Sequence, residues 1–259
     1  MKIIQKIIRK ILMKGSVNWY NPLISFMINY YYLPFKQAYK MPIACYGWPR
    51  FISLYGKIII ESERIYYKMI RLNTIGHNPY HSCGNFEYVN DGGTLIFKGS
   101  ANITSGSRIM IYNEGVIIFG NNFHAKSINI GCQERITFGN DINIAAGTVI
   151  YDSNFHYIHN KKKNIVKNIH QNIAIGDKVW IGTRAYITKG VQIPQGCIIS
   201  ANAVIAKPIS EINDYSIIAG NPAKVVAEGY VRIRGPLENY LFEEFTKNQY
   251  AQIQINDKI

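Results

Sequence analysis

Isoleucine recurs at positions 175, 181, 187, 193, 199 and 205, every sixth residue without a slip. A small or β-branched residue follows four positions after each of the first five, at Val179, Ala185, Val191, Cys197 and Ala203. A helix of 3.6 residues per turn cannot hold a six-residue period on one face. Pro194 and the glycines at 176, 182, 190 and 196 also oppose a helix. The period instead predicts short strands joined by turns, with one isoleucine per strand pointing inward. Three such units close one triangular coil, so residues eighteen apart stack: Ile175 on Ile193, Ile181 on Ile199, Ile187 on Ile205. Stacked coils lie about 4.8 Å apart, the spacing of neighbouring strands.

The pattern continues upstream with slips. Phe138, Ile144 and Ile150 keep the six-residue step, as do Phe119 to Ala125 and the set Phe97, Ile103 and Ile109. The clearest interruption, Tyr157 to Asn172, carries Lys161, Lys162 and Lys163 and reads as a loop thrown outward. These boundaries divide the chain into an N-terminal extension (1–90), a β-helical domain (91–228) with its projecting loop (157–172), and a helical tail (229–259). In the extension, Met1 to Lys14 places apolar residues at 3, 4, 7, 8, 11 and 12, with five Lys and Arg residues on the other face. That is an amphipathic basic helix, which either packs on the protein or lies on a membrane surface. In the tail, Pro236 to Gln252 predicts a helix whose stripe of Leu237, Tyr240, Leu241, Phe242 and Phe245 is expected to pack.

Composition narrows the class. A chain of 259 residues, 47% hydrophobic and 17% charged, is expected to fold around a core rather than stay disordered. Its most apolar stretch, Val17 to Leu33, is broken by Asn18, Asn21, Pro22 and Asn29 and does not predict a spanning helix. The N-terminus lacks the pattern of a secretory signal. Cys45, Cys83, Cys132 and Cys197 form no CxxC pair and predict reduced thiols in the cytoplasm. The net charge of +13 favours anionic partners. No nucleic-acid-binding signature accompanies it, so nucleic acid is not expected as a partner.

The repeats, the segment SIIAGNPAKVV at 216–226 and the segment YDSNFHYI at 151–158 resemble the hexapeptide-repeat O-acetyltransferases, the group of the maltose, galactoside and polysaccharide acetyltransferases. The resemblance covers about residues 91–228. It implies an all-β fold, a left-handed parallel β-helix, with transfer of an acetyl group from acetyl-CoA to a sugar hydroxyl in a surface polysaccharide or its precursor. It also implies a homotrimer with the active site in the groove between neighbouring helices, in the cytoplasm or at the inner face of the membrane.

By the same resemblance, the general base falls on His156, with His159 as an alternative. An imidazole with a pKa near 6.5 suits that task, because a sugar hydroxyl must lose its proton as it attacks a thioester. Asp152 either orients His156 or serves corner geometry, which Asp-Ser-Asn also fits. The CoA-binding segments of the family fall on Trp180, Gly182, Thr183, Ser200 and Ala201. Stacking at eighteen residues sets Lys189 and Lys207 on one edge, where two like charges suit a shared phosphate or stay solvated. Lys224 is a further phosphate candidate. Where the family often holds an acceptor-facing asparagine, this chain has HAKS, which makes His124 and Lys126 the acceptor-side candidates.

No metal is expected. His124, His156 and His159 lack the ligand spacing of the zinc enzymes that share this fold, and the Asn-Pro step between His77 and His81 opposes a metal-binding helix. The alternatives are N-acetylation of an amino sugar and a non-catalytic scaffold.

Overall fold

The computed structural model describes residues 19–75, 84–248 and 252. Met1 to Lys14, His77, His81 and Cys83 lie outside the described residues. Three sheets of nine, seven and six strands, parallel except for the last pair of the first, run the length of the molecule and form the walls of a left-handed β-helix. The chain visits the first, second and third sheets in turn, so each circuit adds one strand to every wall.

The predicted register is observed: Ile175 pairs with Ile193, Ile181 with Ile199, and Ile187 with Ile205. All six isoleucines are buried, as are Val179, Ala185, Val191, Cys197 and Ala203 at the corners. Two- and three-residue strands suffice here because each coil adds one inward side chain per wall. Higher up, a cluster of phenylalanines joins the isoleucines. Phe119 packs against Phe97, Phe123 and Phe138 with ring centroids 5.4, 4.1 and 5.4 Å away.

The coils begin well before residue 91. Ile43–Cys45, Arg50–Leu54 and Lys57–Ile60 form the first circuit, and they pair in parallel with Ile70–Thr74, Glu87–Asp91 and Thr94–Phe97. The six-residue period misses them because these strands run to five residues and carry register shifts at Phe51/Ser53 and Leu72/Thr74. Helix α1 (Pro22–Tyr32) and the short helix α2 (Phe35–Ala38) close the open end of this first circuit.

The other end is closed by a hairpin, Ile217–Gly220 against Ala223–Ala227. After it the chain doubles back along the outside of the first sheet and ends in helix α3 (Pro236–Asn248). The apolar stripe of α3 does not pack as expected. Tyr240, Phe242 and Phe245 are exposed, because the chain offers this face no apolar partner among the described residues.

Candidate functional site

The projecting loop leaves the β-helix after Val149–Tyr151 of the second sheet and returns at Ile173–Ile175 of the third. It contains a small antiparallel hairpin, His159–Asn160 against Ile165–Val166, and a bridge between Ser153 and His170 closes its base. His156 is exposed at the foot of this loop. It lines a pocket of about 300 Å³ with Asn154, Asn160, Lys167 and Lys189. A second pocket, of about 460 Å³, shares Lys167, Asn168 and Lys189 with the first and adds His170 and Lys207. The predicted stacking of Lys189 and Lys207 is therefore observed as a common pocket wall. Lys189 Nζ donates to the Asn168 carbonyl at 2.7 Å, which steers the ammonium toward the loop. Neither pocket is lined by a carboxylate.

Asp152 is fully buried and faces away from that role. Its two carboxylate oxygens accept from the amides of Gln133 and Glu134, each at 2.8 Å, and from the Cys132 thiol at 3.3 Å. The carboxylate is spent on fixing the corner of the coil above. Burial, and then the Asp152 charge, push the Cys132 thiol well above its ordinary pKa, so it remains a neutral donor. The histidine that does meet a carboxylate is His170, with Nδ1 2.7 Å from Glu134 Oε2. That contact fixes the ring and puts the Nδ1 proton toward Glu134, leaving Nε2 as the acceptor of the neutral ring. Thirty-six residues separate the pair, so no local spacing announced it. His159 is tied to Asn164 within the loop hairpin at 3.0 Å.

The remaining candidates occupy a different corner. Thr183 and Ala201 follow strands of the first sheet, whereas His156, Lys189 and Lys207 follow strands of the second. Gly182 is required by packing: a Cβ there would sit 2.6 Å from the Ala201 amide nitrogen of the next coil. The Ser200 amide donates to the Ile218 carbonyl at 2.8 Å. The Thr183 and Ala201 amides donate to no group among the described residues. Lys224 is exposed on the terminal hairpin.

On the outer face of the first sheet, Arg71, Asn102, His124, Asn143 and Trp180 stand in one aligned row. The tail crosses this row. The Arg232 guanidinium lies 4.5 Å over the Trp180 ring, and Arg234 donates to the Asp141 carbonyl at 3.1 Å. With its amide oriented to accept, Asn143 takes two more bonds from Arg234, at 2.5 and 3.1 Å. Trp180 is thus engaged by the chain's own arginine. His124 is bonded to Asn122 at 2.9 Å, and burial, followed by the charges of Arg71 and Arg234, lowers its pKa. Lys126 is exposed at the first corner. Among the described residues no group of three or more His, Cys, Asp or Glu could hold a metal ion.

Residues 172–207 match the family described as bacterial transferase hexapeptide (six repeats). A putative lipopolysaccharide biosynthesis O-acetyl transferase of Escherichia coli K12, WbbJ, is 26% identical over 190 residues, covering 70% of this chain and 89% of that protein. The chain carries the hexapeptide repeat of the bacterial transferases and is similar to acetyltransferases. The galactoside O-acetyltransferase of the same strain is 27% identical over half of the enzyme described here and 60% of its own length. An Escherichia coli chloramphenicol acetyltransferase is 39% identical, but the match spans only 26% of that relative. The crystal structure of the polySia-specific acetyltransferase NeuO aligns over 73% of the enzyme and 89% of that chain, at 20% identity and a TM-score of 0.48.

Proposed function

We propose that the enzyme transfers an acetyl group from acetyl-CoA to a sugar hydroxyl of a surface polysaccharide or its precursor, with His156 as general base. The observation that carries this reading is the placement of His156 in a pocket continuous with one walled by Lys167, Lys189 and Lys207. A neutral imidazole takes the hydroxyl proton at one end, and three ammonium groups without a carboxylate in the lining suit a polyphosphate at the other. Acetyl-CoA supplies the thioester carbonyl that the hydroxyl oxygen attacks. The names of two relatives, a putative lipopolysaccharide biosynthesis O-acetyl transferase and a galactoside O-acetyltransferase, support a carbohydrate acceptor.

The separation of the candidates onto two corners supports a shared site. His156 and the lysines of one subunit would face the Thr183 and Ala201 amides of a neighbour, which requires a trimer. Those two amides suit an extended amide-bearing chain laid along the coil edge. Asp152 holds the corner beneath the loop and acts on the site through position only. Residues 1–14 remain a candidate for peripheral contact with an anionic membrane at its inner face.

His170 gives a second reading of the base, favoured by its contact with Glu134. The test of the reaction class is transfer of labelled acetyl from acetyl-CoA to purified surface glycan, followed by mild alkali. An O-acetyl label is released by that treatment. A label that stays on the glycan is an amide and would replace this reading with N-acetylation of an amino sugar.

A further inference from the structure

We propose that the N-terminal cap docks on an anionic lipid bilayer, with helices α1 and α2 lying in the membrane interface. The cap has one clear structural duty, which its inner face fulfils. Ser25 Oγ accepts from the Cys45 amide at 2.9 Å, and Asn29 both accepts from the Ile43 amide at 3.0 Å and donates to the Ile43 carbonyl at 2.7 Å. These bonds satisfy the free edge of the first strand, and Ile28 and Leu33 seal the core beside it. An element that ends a solenoid in this way ordinarily turns a polar face outward.

Here the outer face is apolar. Leu23, Phe26, Met27, Tyr30 and Tyr31 of α1 are 40–63% exposed. The surface continues through Phe35 at 73% and Tyr39 at 56% on α2 and its following turn, and the neighbouring corners of the first circuit add Trp48 at 61% and Tyr55 at 89%. Between α1 and the first coil, Ile24, Met27, Ile28, Tyr31, Phe51 and Leu54 line an apolar groove of about 470 Å³. A contiguous apolar face of this kind marks a contact surface.

Charge selects the partner. The first sixty residues contain nine Lys and Arg residues and no Asp or Glu. Lys36 and Lys40 stand exposed among the aromatic residues of the cap. A solvated cap would carry both signs. A second copy would set Lys36 and Lys40 against their own equivalents, which opposes self-association through this face. Aromatic and aliphatic side chains flanked by Lys36 and Lys40 suit the headgroup region of an anionic leaflet, where the rings enter the interface and the ammonium groups meet lipid phosphate. Four circuits then separate the cap from the loop that carries His156, so the site would stand roughly 20 Å above the bilayer at strand spacing.

The test uses the full chain with phosphatidylcholine vesicles, with and without phosphatidylglycerol. The proposal expects co-sedimentation only when phosphatidylglycerol is present, with release at high salt. The triple variant Phe26→Ser, Met27→Ser, Phe35→Ser alters exposed side chains only. It should bind roughly tenfold or more weakly at an unchanged thermal midpoint. In a Trp19→Phe, Trp180→Phe chain, brominated lipid should quench Trp48. Vesicle binding that the triple variant leaves untouched would assign the contact to residues 1–14 and overturn the proposal. So would unquenched Trp48, or a vesicle-free dimer that the triple variant dissolves.

Discussion

The coils from Ile173 to Ile205 and those from Ile43 to Phe138 solve one packing problem in two ways. The lower coils use isoleucine in every wall and small residues at every corner, and their stacked partners stand eighteen residues apart. The upper coils mix buried phenylalanines and Tyr88 among their isoleucines, run strands of up to five residues, and pair Phe97 with Phe119 across 22 residues. The regular coils keep strands of two or three residues throughout, whereas the upper coils carry longer strands and register shifts. The projecting loop leaves between the two regions, where one extended corner disturbs neither stack.

Five substitutions sharpen that contrast, from the largest expected effect to the smallest. Phe119→Ala removes the ring at the centre of the aromatic stack and should cost about 3–5 kcal/mol in denaturant unfolding, against about 0.5–1.5 for Ile199→Val in the lower coils. Equal costs would mean that the aromatic stack closes almost completely around the missing ring. At the junction, Asp152→Ala strands two buried amides and should cost about 2–4 kcal/mol, with a lower thermal midpoint and little loss of turnover per folded molecule. A collapse of turnover at an unchanged midpoint would restore a catalytic role to Asp152.

On the lower coils, Lys207→Ala should raise the KM for acetyl-CoA about 10–150-fold, the range of one lost charge-assisted contact, while kcat holds. An unchanged KM would make Lys207 a solvated lysine. The smallest effect belongs to His124. Its folded pKa lies below the ordinary value of 6.5, so near and below that value the unfolded chain binds more protons than the folded one. Stability should fall as pH drops through that region, and His124→Gln should flatten the slope. A slope unchanged by the substitution would show that His124 does not carry it.

The six-residue period made the lower coils legible down to individual pairs, because identical spacing forces identical stacking. It also located the loop, whose lysines and lost period stand out against the repeat. The first circuit was not legible. Ile58, Ile60 and Leu72 find their partners across gaps of 31 and 37 residues, interrupted by bulges, and no fixed period survives that. At the site, Lys189 and Lys207 followed from stacking alone. Asp152 was ambiguous in sequence, since an Asp at a corner and an Asp beside a histidine look alike until its partners are seen. The pairing of His170 with Glu134 had no local signal, because the loop itself brings the two together.

His156 at the foot of the loop, rather than His170 at its return, is the base proposed to take the proton. Single-turnover acetyl transfer by His156→Ala and by His170→Ala, with a verified acceptor and saturating acetyl-CoA, tests it most directly. The account predicts that His156→Ala lowers the rate roughly 10²–10⁴-fold while acetyl-CoA binding persists, and that His170→Ala loses far less. A wild-type rate in His156→Ala, with the large loss in His170→Ala, would contradict it and give the role of base to the Glu134-bound histidine.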